Sequence, residues 1–147
     1  MVRVRVFNAH PRRRIRIPAI ARAVRRVAGA ERRRSLALSV VFVDDKRTIR
    51  LNREYLGHRG STDVISFTIE KGPPLEGEVY VNLDRAREQA AAYGVSEQEE
   101  ITRLVVHGTL HLLGYDDRTP AKRRRMKTRE DGFVGRLVPL RRAKRSL

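Results

Sequence analysis

Two histidines four residues apart, followed by a glycine and then a carboxylate, sit in the stretch ITRLVVHGTLHLLGYDD at residues 101–117. Ile101, Leu104, Val105, Gly108 and Leu112 recur at the spacing of one apolar helical stripe, so the segment is expected to be a helix with a buried face. At about 100° per residue, His107 and His111 project from neighbouring turns along a line roughly 100° from that stripe. Two imidazoles so placed can share one ion. Gly114 stands where a helix C-cap needs a left-handed residue, which lets the chain reverse and bring Tyr115, Asp116 and Asp117 back over the imidazoles.

The spacing His-x-x-x-His-x-x-Gly-x-x-Asp is that of the extended metzincin zinc motif, with Gly108 in place of the general-base Glu of those proteases. That absence weakens a peptidase reading. HGTLHLLGYDD resembles the signature of the YbeY-type endoribonucleases, small zinc proteins associated with ribosomal RNA maturation, in which the last position is usually a third His. Here it is Asp117. LNREYLGHRGSTDVISF at residues 51–67 resembles the second signature block of that family, and LEGEVYVNLDRA at residues 75–86 its following strand. The likeness spans about residues 36–131.

The resemblance implies a zinc-dependent endoribonuclease that hydrolyses single-stranded RNA in ribosomal RNA processing, with one Zn2+ ion held by His107, His111 and Asp117. It implies ribosomal RNA of the small subunit as partner, together with ribosomal or assembly proteins. Asp116 competes for the ion. Asp117 is preferred because it falls in register with the third ligand of the family, and Asp116 is then a partner of the ligands. The family's catalytic Arg after the Tyr of the second block is replaced by Leu56. Arg59, three residues on, is the candidate phosphate contact, and His58 a candidate donor or proton shuttle at the rim. Asn52, Thr62, Asp63 and Ser66 match polar positions of the block, in turn-forming or substrate roles. Two rival functions share these features: a non-catalytic RNA-binding assembly factor with a structural metal, and a metal hydrolase of another substrate.

No cysteine is present, so any metal must be held by His and carboxylate. The longest apolar runs are far shorter than a membrane span and no secretory signal is evident, so the expectation is a cytoplasmic protein with no membrane partner. The net charge of +16 is unevenly spread. Residues 1–34 hold 12 Lys or Arg against one acid, and residues 118–147 hold 12 against two. The centre holds 9 against 14, or −5. Two basic ends around a mildly acidic centre suit a protein that grips a polyanion. The exposed run 122–127 and the N-terminal arginines are the expected RNA contacts.

Val2, Val4 and Val6 alternate with Arg3 and Arg5, which predicts a half-buried strand with a basic outer face. A helix from Pro18 to about residue 28 is expected to stop at Gly29. Residues 36–43, 64–69 and 78–81 read as strands, the last two separated by Gly72, Pro73 and Pro74. Asp44 and Asp45 are candidate caps for a helix through residues 51–55, and a helix over 84–93 should end at Gly94. Ser96 with Glu99 forms a capping box for the metal helix, and Thr119 with Pro120 opens the last one. These elements predict an α+β fold: a small, mostly four-stranded sheet packed by about five helices, with the zinc-binding helix near the C-terminal third. One hydrolase domain over residues 1–135 and a basic tail over 136–147 complete the reading.

Overall fold

The computed structural model of the protein describes residues 1–138. Its elements run β1 (Val2–Asn8), α1 (Ile17–Ala30), β2 (Leu36–Val43), α2 (Asp45–Leu56), β3 (Val64–Glu70), β4 (Leu75–Asn82), α3 (Leu83–Tyr93), α4 (Glu97–Leu112) and α5 (Pro120–Leu137). This is the expected α+β architecture. The strands form one mixed sheet in the order β1-β2-β4-β3, with β1, β2 and β4 parallel and β3 antiparallel at the edge.

Alternation decides which face of the sheet is covered. Pairing aligns Val4, Leu38, Gly77 and Thr68 in one row across the sheet, and Val6, Val40, Val79 and Ser66 in the next. Leu36, Leu38, Val40, Phe42, Val79 and Val81 on this face are buried in a single cluster with Val24 and Val27 of α1 and Val105 and Leu110 of α4. On the opposite face, α2 covers one end through the edge-to-face series Tyr55, Phe67 and Tyr80. Arg3, Arg5, Glu76 and Ile69 remain exposed beside it.

Helix boundaries follow the caps. Asp44 accepts from Arg47 N at 2.9 Å, Ser96 from Glu99 N at 3.0 Å and Thr119 from Lys122 N at 3.1 Å. Each such cap contributes about 1 kcal/mol. Gly94 closes α3 at φ +69.

One expected stop is overrun. Gly29 lies inside α1, which ends after Ala30, because Arg32 takes the left-handed conformation (φ +58) and the Arg32 and Arg33 amides donate to Gly29 O and Ala28 O. Those are the two bonds of a Schellman end, which satisfy the last carbonyls without a glycine. Helix α5 passes through Gly135 to Leu137, and Val138 is buried. Arg141, Arg142, Lys144 and Arg145 of the expected tail lie outside the described residues. No described helix is long and apolar enough to cross a membrane.

Helix α5 returns beside α1, so the two basic ends of the chain meet. Arg129 of α5 pairs with Glu31 at the end of α1, and Arg33 donates to Leu113 O at the end of α4 at 3.0 Å.

Candidate metal centre

Helix α4 is buried over most of its circumference, not along one stripe. Thr102, Val106, Thr109 and Leu110 are buried as well as Leu104, Val105 and Gly108, since the sheet, α1, α3 and α5 all pack on it. Gly108 lies over β3 and β4, where an added Cβ would stand 2.5 Å from Val79 Cγ1 and 3.2 Å from Ser66 Oγ. The sheet therefore leaves no room for a glutamate at this position. That is the physical reason for the missing protease base. Ser66 Oγ also donates to Gly108 O at 3.1 Å, fastening the edge strand to the helix next to His107.

The helix ends in a Schellman reversal. Gly114 N donates to His111 O and Tyr115 N to Leu110 O, both at 3.1 Å, with Gly114 at φ +110. The reversal separates the two adjacent aspartates. Asp116 Oδ1 accepts from Arg118 N at 3.0 Å and its Oδ2 lies 3.6 Å from Lys122 Nζ, so this carboxylate fastens the loop to α5. The amide of Arg118 holds its pKa low, as do Lys122 and Arg118 by their charge. Asp117 instead lines a cavity of about 580 Å³ together with His107 and His111 and makes no hydrogen bond to the described residues.

His107 is oriented from behind. Its Nδ1–H donates to Glu130 Oε1 of α5 at 2.7 Å, while Arg103 Nη1 donates to Glu130 Oε2 at 2.9 Å and to Asp131 Oδ1 at 2.6 Å. Nε2 has no partner among the described residues. A histidine so held offers that nitrogen to an ion in a fixed direction, as ligand histidines do. Burial works to lower the His107 pKa, but the hydrogen bond and charge of Glu130, with Asp63 and Asp117, outweigh it and raise it. The side chain of His111 is exposed and has no partner among the described residues.

Two imidazoles and a carboxylate suit a divalent ion, and the unused Nε2 of His107 is consistent with that role. Among the described residues, however, no group of three His, Asp or Glu side chains already converges on one point. The structure brings the three residues to one cavity without placing them around a common centre.

The 57–63 loop forms part of the wall of that cavity. His58 and Arg59 both line it, beside Leu56. The polar positions of the second block hold this loop in place. Asn52 Nδ2 donates to Gly60 O at 3.2 Å, and the His58 amide returns to Asn52 O at 3.1 Å. Asp63 turns away: it accepts from Gln89 and lines a different cavity. Asn82, whose role the sequence does not reveal, donates to Asp45 Oδ1 at 2.8 Å and Thr62 O at 3.1 Å and ties the loop to the bases of α2 and α3.

The run 122–127 is not one basic face. Met126 is buried, Arg125 stacks over the Tyr115 ring, and Lys127 lies 3.6 Å from Asp131 on the other flank of α5. The helix distributes its cations around three sides.

Residues 8–138 match the protein family described as Endoribonuclease YbeY. Relatives of that description include one from Salinibacter ruber, 38% identical with 91% of each chain covered, and one from Chlorobium luteolum, 40% identical over 86% of this chain and 92% of the relative. A third, from Pelotomaculum thermopropionicum, is 44% identical over 68% and 71% of the two chains. The fold is similar to the solution structure of TM1509 from Thermotoga maritima, with a TM-score of 0.63 and 20% identity over 91% of this chain and 88% of that one. With the family matched over nearly all of its described length, this chain belongs to the endoribonuclease YbeY family.

Proposed function

We propose that the protein is a zinc-dependent endoribonuclease acting on single-stranded ribosomal RNA of the small subunit, in the cytoplasm, with one Zn2+ held by His107, His111 and Asp117. The observation that carries this reading is the cavity in which these three side chains meet Arg59 and His58, behind which Glu130 orients His107. A bound divalent ion supplies Lewis acidity toward a phosphoryl oxygen and acidifies a water molecule.

The remaining roles belong to the chain itself. Glu130 accepts from Nδ1–H of His107 and fixes the ring, which leaves Nε2 to the ion when one is bound. Arg59 offers a planar fork of donors to a phosphate in the cavity, with Asn52 holding its loop. His58, on the same loop, can donate to a departing oxygen. The basic surfaces of α1 and α5 hold the flanking strand by phosphate contacts, which makes binding steeply salt-dependent.

The test is cleavage of a single-stranded RNA by the full chain, with metal content measured in parallel. Asp117→Ala should lose both metal and cleavage, whereas Asp116→Ala should retain the metal. Asp116→Ala emptying the site while Asp117→Ala leaves it full would overturn the ligand assignment. Cleavage surviving complete metal removal would overturn the mechanism.

A further inference from the structure

A second cavity, of about 670 Å³, lies between α3, α4 and α5 and reaches the first only at His107. Its lining concentrates five carboxylates, Asp63, Glu99, Glu100, Glu130 and Asp131, against two cations, Arg103 and Lys127, in a chain whose net charge is +16. Most of these groups are already engaged. Arg103 is shared between Glu130 and Asp131, and Gln89 Nε2 donates to Glu100 at 2.8 Å and Asp63 at 3.3 Å.

Glu99 is the exception. It is only 6% exposed, yet its carboxylate has no hydrogen bond or ion pair among the described residues. No fully enclosed side-chain oxygen lacks a partner there, so the Glu99 oxygens open into the cavity. A carboxylate that faces a cavity without a protein partner is free to take a cation as its counter-charge. The neighbouring walls supply Tyr93, Val95 and Leu104, an apolar surface suited to a hydrocarbon stem.

We propose that this cavity binds an alkyl-chain cation: a lysine or arginine side chain presented by a polypeptide, or a polyamine with the same chemistry. The carboxylates are spread along the walls and do not converge in threes on a point, which fits an elongated cation better than a compact metal ion. Nucleic acid is excluded by the local sign of charge, so this surface is distinct from the one that would hold RNA. The inference does not depend on the ribonuclease reading.

The test is calorimetric titration of the full chain with two probes, spermidine and the peptide acetyl-Gly-Arg-Gly-Arg-Gly-amide. A protein this basic repels cations in general, so saturable binding reports a local site. One-to-one binding of at least one probe is expected, weakened on the order of tenfold in Glu99→Gln/Asp131→Asn and unchanged in Glu88→Gln, which removes an exposed carboxylate elsewhere on α3. Asp131→Asn alone, at a half-exposed position, supplies the comparison if the double variant does not fold. Binding of the peptide alone assigns the site to a polypeptide side chain, and of spermidine alone to a polyamine. Absence of saturable binding by both probes, equal affinity in the carboxylate variants, or an equal loss in Glu88→Gln would overturn the proposal.

Discussion

His10 and His111 stand at opposite extremes of hydrogen bonding, with His107 between them. His10 is buried, its Nε2–H donates to Asp84 Oδ1 at 2.8 Å, and its Nδ1 accepts from the amides of Arg12 and Arg13 at 3.1 Å. Both ring nitrogens are used by the protein, so His10 is a fastener: it pins the basic connector to the start of α3, where Asp84 also accepts from the Asp45 amide at 2.8 Å. Among the described residues, His107 uses one nitrogen and His111 uses neither, and both line the same cavity. A histidine with every valence met holds structure together, whereas one held by a single nitrogen is prepared for something that is not protein.

The sharpest way to break this comparison is to delete the unheld ring. His111→Ala removes a proposed ligand and no hydrogen bond among the described residues, so metal affinity should fall by two orders of magnitude or more, on the order of the loss of one of three ligands. The melting temperature of the metal-free protein should stay within about 2 °C of wild type. Elemental analysis beside thermal melts of the stripped protein reads both. Unchanged metal content would remove His111 from the site.

His10→Ala should do the reverse. It takes the partner from Asp84 Oδ1 and from two backbone amides, a loss of about 2 kcal/mol, or several degrees in melting temperature. Metal content should remain at the wild-type level. If metal were lost while stability held, the division between fastening and ligating histidines would fail.

Glu130→Gln tests the intermediate case. The amide can still accept from Nδ1–H, but it loses the charge that His107 and Arg103 share. Metal affinity should drop about tenfold, the low end for a partner that orients a ligand. A competition titration with a chromogenic chelator measures this directly, and no change would leave Glu130 a purely structural link between α4 and α5.

How much of this was legible depends on distance along the chain. The strands, the caps at Asp44, Ser96 and Thr119, and the Gly114 reversal are written within a few residues of where they act, and local pattern suffices for them. The pairing of Glu130 with His107 spans 23 residues and that of His10 with Asp84 spans 74, and neither partner carries a local signature. Glu130 reads as one acid on a basic helix until packing turns it inward. Gly29 misleads for the opposite reason: a local signal is overruled because Arg32 can occupy the left-handed position one turn later. The choice of Asp117 over Asp116 rests on register alone; in the structure Asp116 is tied to α5, while Asp117 lines the cavity.

The smallest expected effect lies one turn before Arg103, at Glu100. Burial pushes its carboxyl pKa above the usual 4.5, more than the Gln89 hydrogen bond and the Arg103 charge pull it down. The folded state therefore binds a proton that the unfolded chain has already released, and stability declines as pH rises from about the unfolded value through the folded one. Glu100→Gln keeps the shape and removes that titration. Its melting temperature relative to wild type should rise steadily across this window and level off above it, whatever the offset at low pH. A constant difference from pH 4 to pH 8 would show that Glu100 is no harder to ionise in the folded protein than in the unfolded chain.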